Sequence, residues 1–339
     1  MKPRRTSSIQ DVASAAGVST ATVSRVINNP ALVAVSTAEK VQRAINDLGY
    51  KPNLFAQGLM TSRSHVLAIA LPDIHGEFYS ELLRGADDEA SKSGYHLLVS
   101  PVHRVNNGTR GANLVFGLVD GLALMISEPN PALLEEAKRS NLPLVVLDAD
   151  MEASGVDSVV VDNVPGTTEA AELLVRAVGA GRCFFVGGPP ENYDTQQRAR
   201  VFRQTLDLHK APRDDERVAF GRYDVEWGRQ WVRQRVASSG MGSLKGSGVL
   251  AGNDEIALGI LQGAHEVGLS VPGDLRLIGF DDTRLGQIVR PQLSSVRVPM
   301  AEVGAAAVKS LIHRLDQPDS RPTCVRLPTK LVLRESSGV

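Results

Sequence analysis

The chain has 339 residues, 42% hydrophobic and 22% charged, a globular balance with length for two or more domains at about 150 residues each. Its 37 Lys and Arg nearly cancel 38 Asp and Glu, but unevenly: residues 1–63 carry eight basic groups against three acids, so a small cationic head suited to a polyanion precedes an acidic body. A charged, polar start without an apolar stretch is not a secretory signal, no run nears the about 18 apolar residues of a membrane span, and two cysteines, Cys183 and Cys324, build no disulfide framework; a reducing cytoplasm without membrane contact is expected.

In the head, Ser8 with Asp11 forms a capping pair that opens a first helix. Ile9, Val12, Ala13 and Ala16 then fall on one face. Gly17 stops that helix because the turn needs a residue at ease with positive φ. Ser19 caps a second helix with Val23, Val26 and Ile27 inward. A third is expected from Ser36, boxed by Glu39, with Val41, Ala44, Ile45 and Leu48 inward. Two short helices across a tight turn, closed by a third, make a helix-turn-helix unit whose second helix enters the DNA major groove. That helix presents Thr20, Ala21, Ser24 and Arg25. Arg25 suits a bidentate pair with guanine, worth about 1–3 kcal/mol of discrimination, Thr20 suits a base or phosphate, and the Ala21 methyl suits a thymine methyl. A small helical subdomain with a solvated face is the plainer alternative.

The motifs Asp11-Val12-Ala13, Ala16-Gly17-Val18-Ser19, Thr22-Val23-Ser24-Arg25-Val26-Ile27-Asn28 and Gly49-Tyr50-Lys51-Pro52-Asn53 closely resemble the lactose-repressor/galactose-repressor family of bacterial transcription regulators. The resemblance implies an all-α helix-turn-helix DNA-binding head (1–49) and a hinge (50–63). These are joined to an α/β effector domain (64–339) of two Rossmann-like lobes, similar to periplasmic binding proteins. It places the lobes at about 64–163 plus 292–322 and 164–291 plus 323–339. It also adds Thr22, Asn28, Asn53 and Ala56 to the DNA-contacting set, and makes Leu59 a minor-groove wedge from a hinge helix that forms on DNA and pairs with its mate. On its own, a segment this short, with Gly58 inside it, is too weak a helix to persist in water, and a plain interdomain linker is the alternative.

From Val66 onward, apolar runs such as Val66–Leu71, Leu144–Leu147, Cys183–Val186 and Leu275–Phe280 alternate with helical stretches, the pattern of parallel sheets covered on both faces. Ligands of such folds sit beyond the carboxyl ends of the strands, where Asp73, Asp148, Asn192, Asp194, Asn253, Asp254 and Asp281 collect. The resemblance makes Phe78 and Tyr79 apolar walls, Asp148 an acceptor, Asn192 and Asp194 variable contacts, Arg198 a polar fork, Tyr223 a stacking wall, Asn253 a donor and acceptor, and Asp281 an acceptor opposite Arg198. A planar Arg with paired acceptors and an aromatic face suits vicinal hydroxyls, so a sugar or sugar acid is the expected effector; an anion would favour Arg198 and a nucleobase the aromatic walls. Three departures stand out: His75-Gly76-Glu77 ahead of the paired aromatics, Val201 before Phe202, and a short, glycine-bearing stretch over 106–118, expected to be frayed.

Gly240–Gly248 looks like a phosphate loop, but Lys245 is misplaced and a strand follows instead of leading in; a surface loop is expected. No nucleophile–base set and no metal spacing among the seven histidines is seen, so no cofactor or metal is expected. The sequence therefore predicts a ligand-responsive regulator, a repressor in its usual form, that binds a palindromic operator as a homodimer. A solute-binding protein or an enzyme on the same scaffold is the alternative.

Overall fold

A computed structural model describes residues 7–28, 30–50, 63–101, 118–128, 130–212 and 214–339. The chain divides into two compact units, residues 1–65 and 66–339. The first is built from helices α1 (Ile9–Ala16), α2 (Thr20–Asn28) and α3 (Val35–Leu48). Ser8 and Asp11 satisfy each other's backbone: the Ser8 hydroxyl accepts the Asp11 N–H at 3.3 Å and the Asp11 carboxylate accepts the Ser8 N–H at 2.8 Å. Gly17 takes a left-handed φ of 68°, and the Ser19 hydroxyl accepts the Thr22 N–H at 3.1 Å. Val12, Val23 and Val41 are fully buried, ringed by Ala13, Val26 and Ala44.

Two details differ from expectation. Helix α3 begins at Val35, with Ala34 in the cap position and no side-chain cap. Ser36 is already inside the first turn, and its hydroxyl cannot cap from there because capping needs an extended residue ahead of the helix. Leu48 is 37% exposed; the last turn of α3 runs past the edge of this small core.

The second unit runs β1 (Val66–Leu71), α4 (Gly76–Lys92), β2 (His96–Pro101), β3 (Gly121–Met125), α5 (Pro131–Arg139), β4 (Leu144–Leu147) and β5 (Asp157–Asp162). It continues through α6 (Asn163–Val178), β6 (Cys183–Gly187), α7 (Tyr193–Leu208), β7 (Val218–Phe220), α8 (Val225–Ser239), β8 (Ser247–Ala251), α9 (Asp254–Glu266) and β9 (Leu275–Asp281). It closes with α10 (Arg284–Ile288), β10 (Ser294–Arg297), α11 (Met300–Asp316), β11 (Cys324–Pro328) and β12 (Lys330–Val332). Among the described residues these strands form two six-stranded sheets, ordered β11-β5-β4-β3-β1-β2 and β12-β10-β9-β8-β6-β7. Every pairing is parallel except β10 with β12. The strand cores are almost wholly apolar, as sheets covered on both faces require, and Cys183 is fully buried among them.

The chain passes between the sheets three times, and the expected lobe limits need correcting at two of the passages. Strand β10 pairs with β9, Ser295 opposite Gly279, so residues 294–297 belong to the second lobe and not the first. Strand β11 pairs with β5, Val325 opposite Val159, so residues 324–328 belong to the first lobe and not the second. Each strand goes to the sheet edge that leaves its N–H and C=O groups paired, a choice made by distant residues. Helices α4 and α11 meet backbone to backbone in the first lobe: a Cβ on Gly85 would lie 1.9 Å from the Ala301 carbonyl oxygen, and one on Gly304 would lie 1.9 Å from that of Leu82. The Gly240–Gly248 stretch links α8 to β8 and buries Leu244 completely.

Candidate functional site

On α2, Thr20, Ala21 and Arg25 are exposed on the surface of the head, while Thr22 and Ser24 are half-buried. The Thr22 hydroxyl is engaged by that of Ser19 at 2.9 Å. Asn28 ends the helix; its side chain, the hinge residues Asn53, Ala56 and Leu59, and positions 106–117 of the glycine-bearing stretch lie outside the described residues.

In the body, a cavity of about 410 Å³ opens beyond the carboxyl ends of strands from both sheets, inside the about 300–1,000 Å³ typical of small-molecule sites. It gathers all nine residues expected of a pocket. Phe78, Tyr79 and Asp148 come from the first lobe; Asn192, Asp194, Arg198, Tyr223, Asn253 and Asp281 come from the second. Phe78 and Tyr79 stack edge to face, with centroids 5.2 Å apart. The Tyr223 hydroxyl bonds to the Thr195 hydroxyl at 2.6 Å and donates to the Asn192 side-chain oxygen at 3.2 Å. Asn192 and Asn253 cap α7 and α9 through their side-chain oxygens, each at 2.9 Å. These two asparagines therefore face the cavity while fixing the helices that frame it.

Arg198 is 3% exposed and largely committed to the protein. Its Nε donates to the Asn163 side-chain oxygen at 2.7 Å, one terminal nitrogen to the Gly252 carbonyl at 2.7 Å, and the other to Asp194 at 3.2 Å. The guanidinium also lies 3.7 Å from the Phe280 ring centroid. Three of its five N–H groups are thus spent holding the second lobe's floor, leaving two for a ligand. Asn163 is fully buried and completes the arrangement by donating to Asp194 and Gln197, both at 2.8 Å.

The acids behave differently from one another. Asp148, with a left-handed φ of 70°, accepts the Ser127 hydroxyl at 2.9 Å; burial and then Asp194 push its carboxyl well above the usual range. Burial does the same to Asp281, against the pull of Arg198. Its neighbour Asp282 turns away to pair with Arg297 at 2.6 Å and Arg334 at 2.5 Å, so the two adjacent carboxylates point apart as expected. Asp254, beneath the cavity floor, accepts the Ser295 hydroxyl and both the N–H and hydroxyl of Thr283, yet burial still raises it to about 6.

The unusual His75-Gly76-Glu77 segment forms the rim. Asp73 accepts the His75 ring nitrogen at 2.7 Å, Gly76 holds φ at 86°, and Glu77 accepts the Arg284 N–H from the opposite lobe at 2.8 Å and 3.0 Å. Sequence reasoning missed Ser127, Glu128, Glu255 and Thr283 as lining residues. All four sit just past the ends of β3, β8 and β9, so the strand-end rule that found Asp148 and Asp281 also reaches them.

A helix-turn-helix head joined in one chain to a two-lobed α/β body with a polar interlobe cleft defines a DNA-binding regulator with a binding-protein-type body. Residues 8–53 match the family described as bacterial regulatory proteins, lacI family, and residues 171–337 match the periplasmic binding protein-like domain. Catabolite control protein A of Priestia megaterium is 33% identical over 338 residues, covering 97% of this chain and 98% of that protein. The ribose operon repressor of Escherichia coli K12 is 29% identical, with 97% and 99% covered. The lac repressor dimer bound to operator and the anti-inducer ONPF superposes with a TM-score of 0.84 at 25% identity, covering 98% of this chain and 99% of that one. The chain belongs to the lacI family of bacterial regulatory proteins. No helix among the described residues is long and apolar enough to cross a membrane.

Proposed function

We propose that this protein is a ligand-responsive, sequence-specific transcriptional regulator, a repressor in its basic mode, that binds a palindromic operator as a homodimer in the bacterial cytoplasm. The observation that carries the reading is the coexistence, in one chain, of an exposed Thr20-Ala21-Arg25 face on α2 with a cavity of about 410 Å³ lined by aromatic walls and hydrogen-bonding side chains. Each head reads a half-site, which two-fold symmetry doubles into a palindrome, and the hinge carries the coupling. The cleft is a small-molecule site, with a sugar as the class its donors and acceptors suit. Ribose and cellobiose appear in the names of similar proteins, the ribose operon repressor and the CelR–cellobiose complex, which support this class. A stand-alone solute-binding protein leaves the helical head without a task, and the cleft reads as a binding site more simply than as a catalytic one.

An effector that favours one lobe arrangement shifts operator affinity by the usual coupling of about 1–3 kcal/mol. The test is selection of fragmented genomic DNA on the purified full-length protein at two salt concentrations. Enrichment of a common palindrome over a steeply salt-dependent background supports the reading; fragments recovered in proportion to their input refute it.

A further inference from the structure

The charges around the cleft do not balance. Resting on its reading as the effector site, this imbalance restricts what the effector can be. Two cations line the cavity, Arg198 and, when protonated, His75. Both are answered: Arg198 by Asp194 at 3.2 Å and His75 by Asp73 at 2.7 Å. Glu77 is occupied by the single Arg284 backbone N–H, shared between its two oxygens. Four further carboxylates line the same space, Glu128, Asp148, Glu255 and Asp281; Glu128 is engaged elsewhere, and among the described residues no Lys, Arg or His nitrogen lies within ion-pair distance of the other three.

The Asp281 backbone is held in β9 opposite Arg297, but its carboxylate has no hydrogen-bond partner among the described residues. Glu255, at the start of α9, reaches to the Gly76 backbone across the cleft, close enough that a Cβ there would lie 3.4 Å from its oxygen. Burial raises the proton affinity of both acids; at Asp281 Arg198 pulls it back, and Asp254, Asp194 and then Glu255 push it up further, as expected of like charges sharing a partly dry space. Neutral hydroxyls can donate to these oxygens without cancelling their charge. A carboxylate or phosphate on the ligand would add to the repulsion, with Arg198 already largely spent.

We propose that the effector is a polyhydroxylated compound carrying a protonated amine, of the amino-sugar class, with its ammonium group held between Asp281 and Glu255. Asp148 and the two remaining Arg198 N–H groups receive its hydroxyls, and Phe78, Tyr79 and Tyr223 wall its apolar face. Sugar acids and sugar phosphates are expected to bind more weakly than the amino compound.

The experiment is a matched panel bound to the full-length protein at pH 7.5 and low salt, screened by thermal shift and quantified by calorimetry. The probes are glucose, glucosamine, N-acetylglucosamine and gluconate, with galactose, galactosamine, N-acetylgalactosamine and galacturonate beside them. An amino member is expected to bind about tenfold or more tightly than its neutral partner, the scale of one charge-assisted hydrogen bond. N-acetylation, which keeps the nitrogen and removes the charge, abolishes that preference. Asp281→Asn and Glu255→Gln each reduce it by about tenfold while leaving the protein folded by circular dichroism.

The inference is overturned if a neutral or acidic member binds as tightly as its amino counterpart, if every amino member is silent, or if both variants keep the wild-type preference. Operator selection on the same preparation is scored separately. Loss of the amine preference with intact palindrome selection therefore removes this inference alone, whereas absent selection removes the regulator reading.

Discussion

Replacing Arg198 by Lys separates two roles that the residue could play, lobe keystone and ligand contact. Lysine keeps the charge but has no planar fork, so it can answer Asp194 while deserting the Asn163 side-chain oxygen and the Gly252 carbonyl, each now bonded at 2.7 Å. Hydrogen bonds to a charged group contribute about 1.5–3 kcal/mol each, so losing two costs about 3–6 kcal/mol. For a body of this size, at about 2–4 °C per kcal/mol, the melting temperature should fall by roughly 6–24 °C. The assay is thermal and urea unfolding of the ligand-free full-length protein, with Asp194→Asn and the double variant completing a cycle. Because the two side chains share one network, the double variant should lose less than the sum of the singles. A ligand-free Arg198→Lys protein that melts within a degree of wild type, with additive double-variant losses, would refute the keystone reasoning and return Arg198 to the ligand alone.

Three further outcomes are expected. Arg25→Ala should remove about 1–3 kcal/mol of base discrimination while sparing salt-dependent nonspecific binding; equal palindrome enrichment by variant and wild type would deny Arg25 a base-reading role. Gly85→Ala forces a Cβ to 1.9 Å from the Ala301 carbonyl oxygen; the separation of α4 and α11 that this demands should destabilise the first lobe by about 3 kcal/mol or more, seen as a lowered urea midpoint. For Asp281 the folded carboxyl titrates above its unfolded value, so its favourable contribution is complete below the unfolded pKa of about 4 and is lost as pH rises through the folded one. Asp281→Asn should therefore raise the melting temperature of the empty protein at pH 7.5 and change it little at pH 4, the mark of a group retained for binding at the expense of stability; a drop at pH 7.5 would contradict this.

Chain-local signals were legible without coordinates. The Ser8–Asp11 box, the Gly17 stop, the Ser19 cap and the apolar runs of β1, β4, β6 and β9 are settled by neighbours within a few residues, and the strand-end rule located five side chains of the cavity, Asp148, Asn192, Asp194, Asn253 and Asp281, to which the family resemblance added Phe78, Tyr79, Arg198 and Tyr223. The failures share a cause. Ser36 was misread because tertiary context started α3 a residue early; β10 and β11 went to the opposite lobes because an open sheet edge, supplied by residues more than a hundred positions away in the case of β11, chooses its partner. Arg198 was read as a polar fork, but nothing local showed that Asn163 and the Gly252 carbonyl, 35 and 54 residues distant, take two of its donors. By itself the sequence determined the three helices of the head, the alternation of strands and helices in the body, and the family resemblance. The tertiary structure alone decided which strand joins which lobe, which donors of Arg198 remain open, and which carboxylates face the cleft without a counter-charge, because hydrogen-bond pairing and charge balance are properties of groups that only folding makes neighbours.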